Sequence, residues 1–133
     1  MRIIVLRGPA NSGKSTVLNG VYNELTSFRD VHSTPKRVLG NPKQKDFECI
    51  ITLKDKRRVA FFTMGDYIDA ILAGIEKYSY LDCEVLIIAF NDDHDAELNK
   101  IDSVYPHNII SKSLPYKNDV SRLKDIGTIL SKI

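Results

Sequence analysis

Residues 8–16 read GPANSGKST and fit the pattern G-x-x-x-x-G-K-[ST] at Gly8, Gly13, Lys14 and Ser15. Glycine adopts backbone torsions that are closed to other residues, so consecutive N–H groups of such a loop can point at phosphate oxygens. The Lys14 ammonium can then reach the β- and γ-phosphates of a nucleotide, and the Ser15 hydroxyl can ligate Mg²⁺. The stretch therefore predicts a phosphate-binding loop.

The residues on either side of this loop supply the elements that its geometry requires. Residues 2–6 form a short apolar run that predicts a buried strand. After the loop, apolar residues recur at a spacing of three and four, as expected for one face of a helix. They are Val17, Leu18, Val21, Tyr22, Leu25 and Phe28. A helix that starts at Lys14 directs its positive dipole end at the phosphate, which favours nucleotide binding over a glycine-rich turn or a loop that no longer binds.

The remaining patterns predict an α/β fold for the single domain of residues 1–133. Strands are expected at 47–53, 58–64, 84–90 and near 108–113. Helices are expected to start near Gly65-Asp66, to lie near 95–104, and to run from Asn118 or Asp119 to the end of the sequence. The first two of these strands are too close in sequence for a parallel crossover, so they must pair antiparallel. The element order predicts three layers, with a mostly parallel sheet and one antiparallel edge strand.

Two of the predicted helices carry an apolar face, and one segment shows no period at all. The face of the middle helix consists of Ile68, Ile71, Leu72 and Ile75, and that of the closing helix of Val120, Leu123, Ile126, Leu130 and Ile133. Residues 29–46 contain two prolines and a glycine, lean basic and predict a long loop. Loops of this length are either functional or mobile.

The quoted stretch resembles the Walker A motif of the P-loop NTPase superfamily over residues 2–28, and the order of elements extends the resemblance loosely along the chain. It is similar to the loops of small kinases and ATPases, and the whole chain resembles small stand-alone bacterial and phage ATP-binding proteins. The resemblance implies a P-loop NTPase-like fold that binds an NTP and Mg²⁺, without naming the reaction. The nucleotide-binding residues it implies are Gly8, Pro9, Ala10, Asn11, Ser12, Gly13, Lys14, Ser15 and Thr16.

P-loop proteins usually hold Mg²⁺ through water with a carboxylate at the end of a neighbouring strand. Asp66 follows an apolar strand in this way, although Gly65 intervenes. We therefore predict Asp66 and Ser15 as metal-binding residues, and Asp66 and Lys14 as catalytic residues. The alternative is that Asp66 caps the next helix, with Asp69 in its acidic first turn, and one residue can do both.

The later loops bear on the choice of base and on further metal sites. The guanine-selective motif N-K-x-D is not matched by residues 91–94, which read NDDH, or by residues 111–114, which read SKSL. ATP, or a pocket that does not discriminate, is therefore preferred. The acidic run at 92–95 is interpreted as a solvated turn and helix cap rather than as a second metal site.

Composition limits the partners and the compartment. The formal net charge is +2, which demands no polyanionic partner. Basic residues gather within 36–58, either as solvated charge or as a surface for a phosphate-bearing or protein partner. Cys49 and Cys83 are expected as buried thiols rather than as a disulfide. No apolar run is long enough for a signal peptide or a membrane span, which predicts a cytoplasmic protein and leaves its oligomeric state open.

Two classes of function remain. The first is an enzyme that hydrolyses ATP or transfers its γ-phosphate, which the lysine, hydroxyl and acid favour. The second is a nucleotide-responsive regulatory module in which the segment 29–46 changes order. The chain has no evident lid and no arginine-rich segment after the strand at 84–90. We therefore expect slow turnover.

Overall fold

The computed structural model describes residues 1–102 and 104–133, in which a mixed, mostly parallel sheet of seven strands carries four helices. In chain order the elements are β1 (Arg2–Gly8), α1 (Lys14–Thr26), β2 (His32–Ser33), β3 (Arg37–Val38), β4 (Phe47–Thr52), β5 (Arg58–Phe62), α2 (Ile68–Tyr80), β6 (Val85–Asn91), α3 (Asp95–Asp102), β7 (His107–Ser111) and α4 (Asp119–Lys132). The predicted α/β class and the order of the predicted elements are confirmed. Residue 103 of the helix predicted near 95–104 lies outside the described residues.

The strand order is β2-β4-β5-β6-β1-β7, and β3 also pairs with β4. Strands β5, β6, β1 and β7 are parallel neighbours, whereas β4 runs antiparallel to β5. The antiparallel pairing of the strands predicted at 47–53 and 58–64 is therefore confirmed. The prediction that the antiparallel strand lies at the edge is wrong, because β2 and β3 pair with the outer side of β4. Both come from the segment 29–46, which is thus not a simple loop.

Two apolar cores cover the two faces of the sheet. In β1, Ile4 and Leu6 face the core formed with α1 and α4, and Ile3 and Val5 face the core formed with α2 and α3. All four side chains are fully buried, as expected for a parallel strand covered on both sides. This arrangement places the carboxyl ends of β1, β5, β6 and β7 at one edge of the sheet, where the loop after β1 lies.

The predicted helix faces are correct in part. Val120 and Leu123 of α4 are 77% and 62% exposed, whereas Ser121 and Asp125 are buried. Burial of the hydrogen-bonded Asp125 turns α4 so that its two first apolar residues point outward. The predicted cap of α4 is confirmed, because the Asn118 side chain accepts hydrogen bonds from the N–H groups of residues 120 and 121. Phe28 and Leu72, also predicted to be buried, are exposed.

The two cysteines are free and buried, as predicted. Burial raises the pKa of the Cys49 thiol to about 11, which keeps it protonated and unreactive. No helix in the described part of the chain is long and apolar enough to cross a membrane.

Candidate functional site

The loop between β1 and α1 has the backbone geometry that the motif predicts. Asn11 and Gly13 have positive φ angles of 60° and 93°. Gly13 occupies the N-cap position of α1, and no side chain caps the helix there. The N–H groups of the first helical turn have no partner within the helix, so they are available to an anion.

Gly8 must be glycine because the loop and Lys112, the residue after β7, both approach it. A Cβ at this position would lie 2.9 Å from Lys112 Cβ and 2.9 Å from Ser12 Oγ. Ser12 Oγ is itself buried and lacks a hydrogen-bond partner among the described residues. Buried hydroxyl groups are rarely left unpaired, and Ser12 is only 1% exposed.

Lys14 is folded back over the loop. Its Nζ donates hydrogen bonds to the carbonyl oxygens of Gly8, at 3.0 Å, and Pro9, at 2.7 Å. Burial lowers the pKa of Lys14, and the nearby carboxylates of Asp66, Asp92 and Asp46 oppose that shift. The ammonium therefore lies beside the uncapped start of α1, where a phosphate chain would exchange with these two carbonyls.

Asp46 is a site residue that sequence reasoning missed. Ser15 Oγ donates to Asp46 Oδ1 at 2.7 Å, and Thr63 Oγ1 donates to the same oxygen at 3.1 Å. Asp46 is 6% exposed, and burial raises its pKa although the two hydroxyl groups oppose the shift. A buried carboxylate thus lies in contact with the hydroxyl predicted to bind the metal.

The position of Asp46 follows from the direction of β4. Asp46 directly precedes this strand, and an antiparallel strand begins at the edge where its parallel neighbours end. The signal was present in the sequence, because the predicted pairing of 47–53 with 58–64 already places residue 46 at that edge. Because residues 29–46 were interpreted as a loop, Asp46 was not assigned to the site.

Asp66 lies at the same edge, but it does not cap α2. Tyr67 occupies the N-cap position, so the capping alternative is wrong. Asn91 Nδ2 donates to Asp66 Oδ1 at 2.7 Å. Strand β6 lies between β1 and β5, so the strand before Asp66 is not a neighbour of β1. A Cβ at Gly65 would lie 2.9 Å from the carbonyl carbon of Ala89, which explains the intervening glycine.

Asn91, at the end of β6, is a second residue that the sequence did not single out. It is 6% exposed, and its Oδ1 is buried without a hydrogen-bond partner among the described residues. A carboxylate only accepts hydrogen bonds, so Asn91 must present its Nδ2 to Asp66. This fixes the direction of the unpaired Oδ1.

These groups line one cleft of about 290 Å³, which we call the central cleft. Residues 10, 11 and 13–16 of the loop contribute to it, together with Asp46, Asp66 and Asn91. Gly8, Pro9 and Ser12 support the loop from behind and are not part of the lining. The arrangement places two carboxylates opposite an ammonium and an uncapped helix start.

The basic region 36–58 contributes only in part. Lys43 and Lys45 line the central cleft. Lys36 instead donates to Asn19 Oδ1 at 2.7 Å and lies over the ring of Tyr22, and Arg57 pairs with Asp55. The predicted surface for a phosphate-bearing or protein partner is therefore divided between the cleft and separate contacts.

The acidic run at 92–95 does not gather around a common point. Asp95 accepts two hydrogen bonds from Arg7, which lower the pKa of its carboxyl group. Across residues 1–102 and 104–133, no group of three or more His, Cys, Asp or Glu side chains is placed to hold a metal ion. A Mg²⁺ ion held by one hydroxyl, one carboxylate, waters and phosphate needs no such group.

Comparisons with models of protein families, with curated proteins and with solved structures found no match. The resemblance of residues 2–28 to a Walker A motif therefore rests on the motif and on the geometry of the loop.

Proposed function

We propose that the protein is a three-layer, P-loop NTPase-like domain that binds ATP and Mg²⁺ in the cytoplasm and hydrolyses ATP slowly or transfers its γ-phosphate. The observation that carries this proposal is the hydrogen bond of 2.7 Å between Ser15 and the buried Asp46, beside the uncapped start of α1. Burial of a carboxylate is costly unless its charge is compensated. A metal ion would compensate it here.

The oxygens present fit Mg²⁺ and its preference for few protein ligands and several waters. Ser15 Oγ would ligate the ion, and Asp46 would hold it directly or through water. Asp66 lines the same cleft and would act through water. Bound Mg²⁺ would neutralise the charge that develops on the phosphates.

The loop and Lys14 would bind the phosphate chain. The N–H groups at the start of α1 are donors without intrahelical or side-chain partners in the described part of the chain. Lys14 would turn from the Gly8 and Pro9 carbonyls to the phosphates. These are the donors that a chain of anionic groups requires.

A second cleft, of about 250 Å³, adjoins the central cleft at Gly13, Thr16 and Lys117 and provides room for the base. Val17 gives it an apolar wall, and Arg122 can stack on an aromatic ring. Residues 111–114 read SKSL and lack the Asn and the Asp of the guanine-selective motif, so ATP remains the preferred nucleotide.

The alternative function is a nucleotide-responsive regulatory module. The segment 29–46 supports it, since it contributes Lys43, Lys45 and Asp46 to the central cleft. The backbone carbonyl of Lys45 is tied to α1 by Asn19 Nδ2 at 3.0 Å. A γ-phosphate could therefore change the position of the segment without turnover. Labelled ATP separates the two functions, because only the enzyme releases or transfers the label.

Asp46→Asn is expected to remove most of the Mg²⁺-dependent part of the stabilisation by ATP, and Asp66→Asn a smaller part. The neutral amide still accepts the hydrogen bonds from Ser15 and Thr63 but cannot balance the charge of Mg²⁺. Melting temperatures with ATP, measured with Mg²⁺ and with EDTA, give this part for each variant. Full Mg²⁺-dependent stabilisation in Asp46→Asn, or a larger loss in Asp66→Asn, would contradict the assignment.

Without nucleotide, the folding stability of Asp46→Asn is expected to depend on pH differently from that of wild type. Burial raises the pKa of Asp46 above its ordinary value of 3.8, so the folded wild type retains a proton that the unfolded chain has lost. Folding stability therefore falls as the pH rises from that value through the raised pKa. The stability of Asp46→Asn relative to wild type should increase over this range and then level off. A relative stability that falls with pH would show that the carboxylate is not buried.

A further inference from the structure

A third cleft is lined by Asp66, by part of the phosphate-binding loop and by residues 39–41. It has a volume of about 370 Å³, and we call it the Tyr67 cleft. It shares Ala10, Asn11, Gln44, Asp46 and Asp66 with the central cleft. The two clefts therefore meet at the two carboxylates, and Asp66 forms part of the wall between them.

The lining of the Tyr67 cleft differs from that of the central cleft in charge. The central cleft contains Lys14, Lys43, Lys45 and Lys117, whereas no Lys, Arg or His among the described residues lines the Tyr67 cleft. Its charged groups are two acids, so an anionic ligand would be repelled there. The occupant must be uncharged or cationic.

The other lining residues suit a ligand with an aromatic ring. Leu39 and Met64 supply an apolar wall, and the Tyr67 ring is 66% exposed at the mouth. An exposed tyrosine at a cleft offers a face on which a base can stack. Asn41 and Gln44 add amide groups, which can both donate and accept hydrogen bonds at the edge of a base. The volume lies in the range of about 300–1,000 Å³ that is typical of small-molecule sites.

We propose that the Tyr67 cleft binds a nucleoside, and that its hydroxyl group is the acceptor of the γ-phosphate. This inference rests on the proposed function, in which ATP occupies the central cleft. The protein would then transfer the γ-phosphate to the nucleoside rather than hydrolyse ATP. A nucleoside monophosphate is excluded as the acceptor, since none of the described residues that line the cleft is a cation that would hold its phosphate.

Asp66 is the residue placed to take the proton of the acceptor. Asn91 Nδ2 donates a hydrogen bond to Asp66 Oδ1 at 2.7 Å. The same bond fixes the direction of Asn91 Oδ1, which has no hydrogen-bond partner among the described residues.

The hydroxyl oxygen of the nucleoside attacks the γ-phosphorus and forms a new O–P bond. The bond between the γ-phosphorus and the β,γ-bridging oxygen breaks, and ADP leaves with the electron pair. The hydroxyl proton passes to Asp66 and from there to solvent, so the products are ADP and a nucleoside monophosphate.

The test uses the wild-type protein with Mg²⁺ and γ-³²P-labelled ATP, incubated separately with ribo- and deoxyribonucleosides and with their monophosphates. We expect label in the monophosphate of at least one nucleoside and none in diphosphates. Label found only in inorganic phosphate, or in diphosphates, would overturn the inference. If Mg²⁺-ATP raises the melting temperature but no nucleoside is labelled, this inference fails and the proposed function stands. If Mg²⁺-ATP has no effect on melting, the proposed function itself fails.

Two variants test the assigned residues. Tyr67→Ala should raise the KM for the nucleoside about tenfold, as expected for the loss of one stacked base, while the ATP-induced rise in melting temperature stays unchanged. Tyr80→Ala is the matched control, because Tyr80 is 86% exposed at the opposite end of α2. Asp66→Asn should lower kcat roughly a hundredfold at saturating Mg²⁺ and ATP, where weaker Mg²⁺ binding no longer matters, without raising the KM for the nucleoside. Equal effects of the two tyrosine variants, or an unchanged kcat in Asp66→Asn, would contradict the assignment.

Discussion

Replacing Asp125 with alanine is expected to lower the free energy of unfolding by about 3–5 kcal/mol, the usual cost of leaving a buried charge without its partner. Lys112 Nζ lies 2.9 Å from Asp125 Oδ2, and both side chains are 2% exposed. Ser113 donates to Asp125 through both its backbone N–H and its hydroxyl. Thermal or urea unfolding without nucleotide measures the loss, which corresponds to roughly 11–18 °C in melting temperature for a domain of this size.

Two further variants identify the origin of the stability lost in Asp125→Ala. Asp119→Ala removes an exposed carboxylate of the same helix, whose ion pair with Arg122 should contribute about 1 kcal/mol or less. The double variant Lys112→Met with Asp125→Leu removes both charges and should recover most of the stability. A loss below 1 kcal/mol in Asp125→Ala would show that the pair is not buried.

The stability lost in Asp125→Ala is expected to decrease at acid pH. Burial alone would raise the pKa of Asp125, but the hydrogen bonds from Ser113 and Lys112 outweigh it and lower the pKa below 3.8. The carboxylate therefore contributes stability above that value and loses it as the pH falls through the lowered pKa. The difference between wild type and Asp125→Ala should shrink over the same acid range.

Lys14→Ala is expected to abolish most of the stabilisation by Mg²⁺-ATP, which amounts to about 2.7 kcal/mol when the ligand is at a hundredfold its dissociation constant. Lys14 is the cation that the loop itself brings to the central cleft, next to the uncapped start of α1. Its removal leaves the phosphates with backbone donors and with lysines of other segments. Melting temperatures with and without Mg²⁺-ATP separate this loss from any cost to the protein alone.

Lys124→Ala is the control, because it removes an exposed lysine from the solvent side of α4 and should leave the ATP effect intact. If Lys14→Ala and wild type gain the same stability from Mg²⁺-ATP, the phosphate chain does not lie in the central cleft.

The strands and helices that surround the loop could be predicted because their signals are local. Strand β1 is an apolar run, α1 has a clear period of three to four, and the glycines bound the loop between them. The antiparallel pairing of β4 with β5 followed from the short connection, and the cap at Asn118 from its side-chain chemistry. Each inference needed only residues that are close in sequence.

The features that were missed depend on contacts between distant residues. The pairings of β2 and β3 involve two residues each, too few to produce a period. Asp46 belongs to the site because β4 is antiparallel, and its role is visible only when the hydroxyl of Ser15 is placed beside it. Val120 and Leu123 are exposed because the ion pair between Asp125 and Lys112 is buried. Two apolar side chains of α4 therefore face solvent while a charged one is buried, the reverse of the usual pattern.

The place of β6 between β1 and β5 is also a matter of sheet order, which the local pattern does not determine. It explains why Asp66 contacts Asn91 rather than the phosphate-binding loop.

Equilibrium dialysis of the wild-type protein against labelled ATP with Mg²⁺ tests most directly whether the central cleft is a nucleotide site. We predict saturable binding of one ATP per chain, weakened by EDTA and lost in Lys14→Ala. An absence of bound ATP at millimolar concentration, or binding that Lys14→Ala leaves unchanged, would contradict the account.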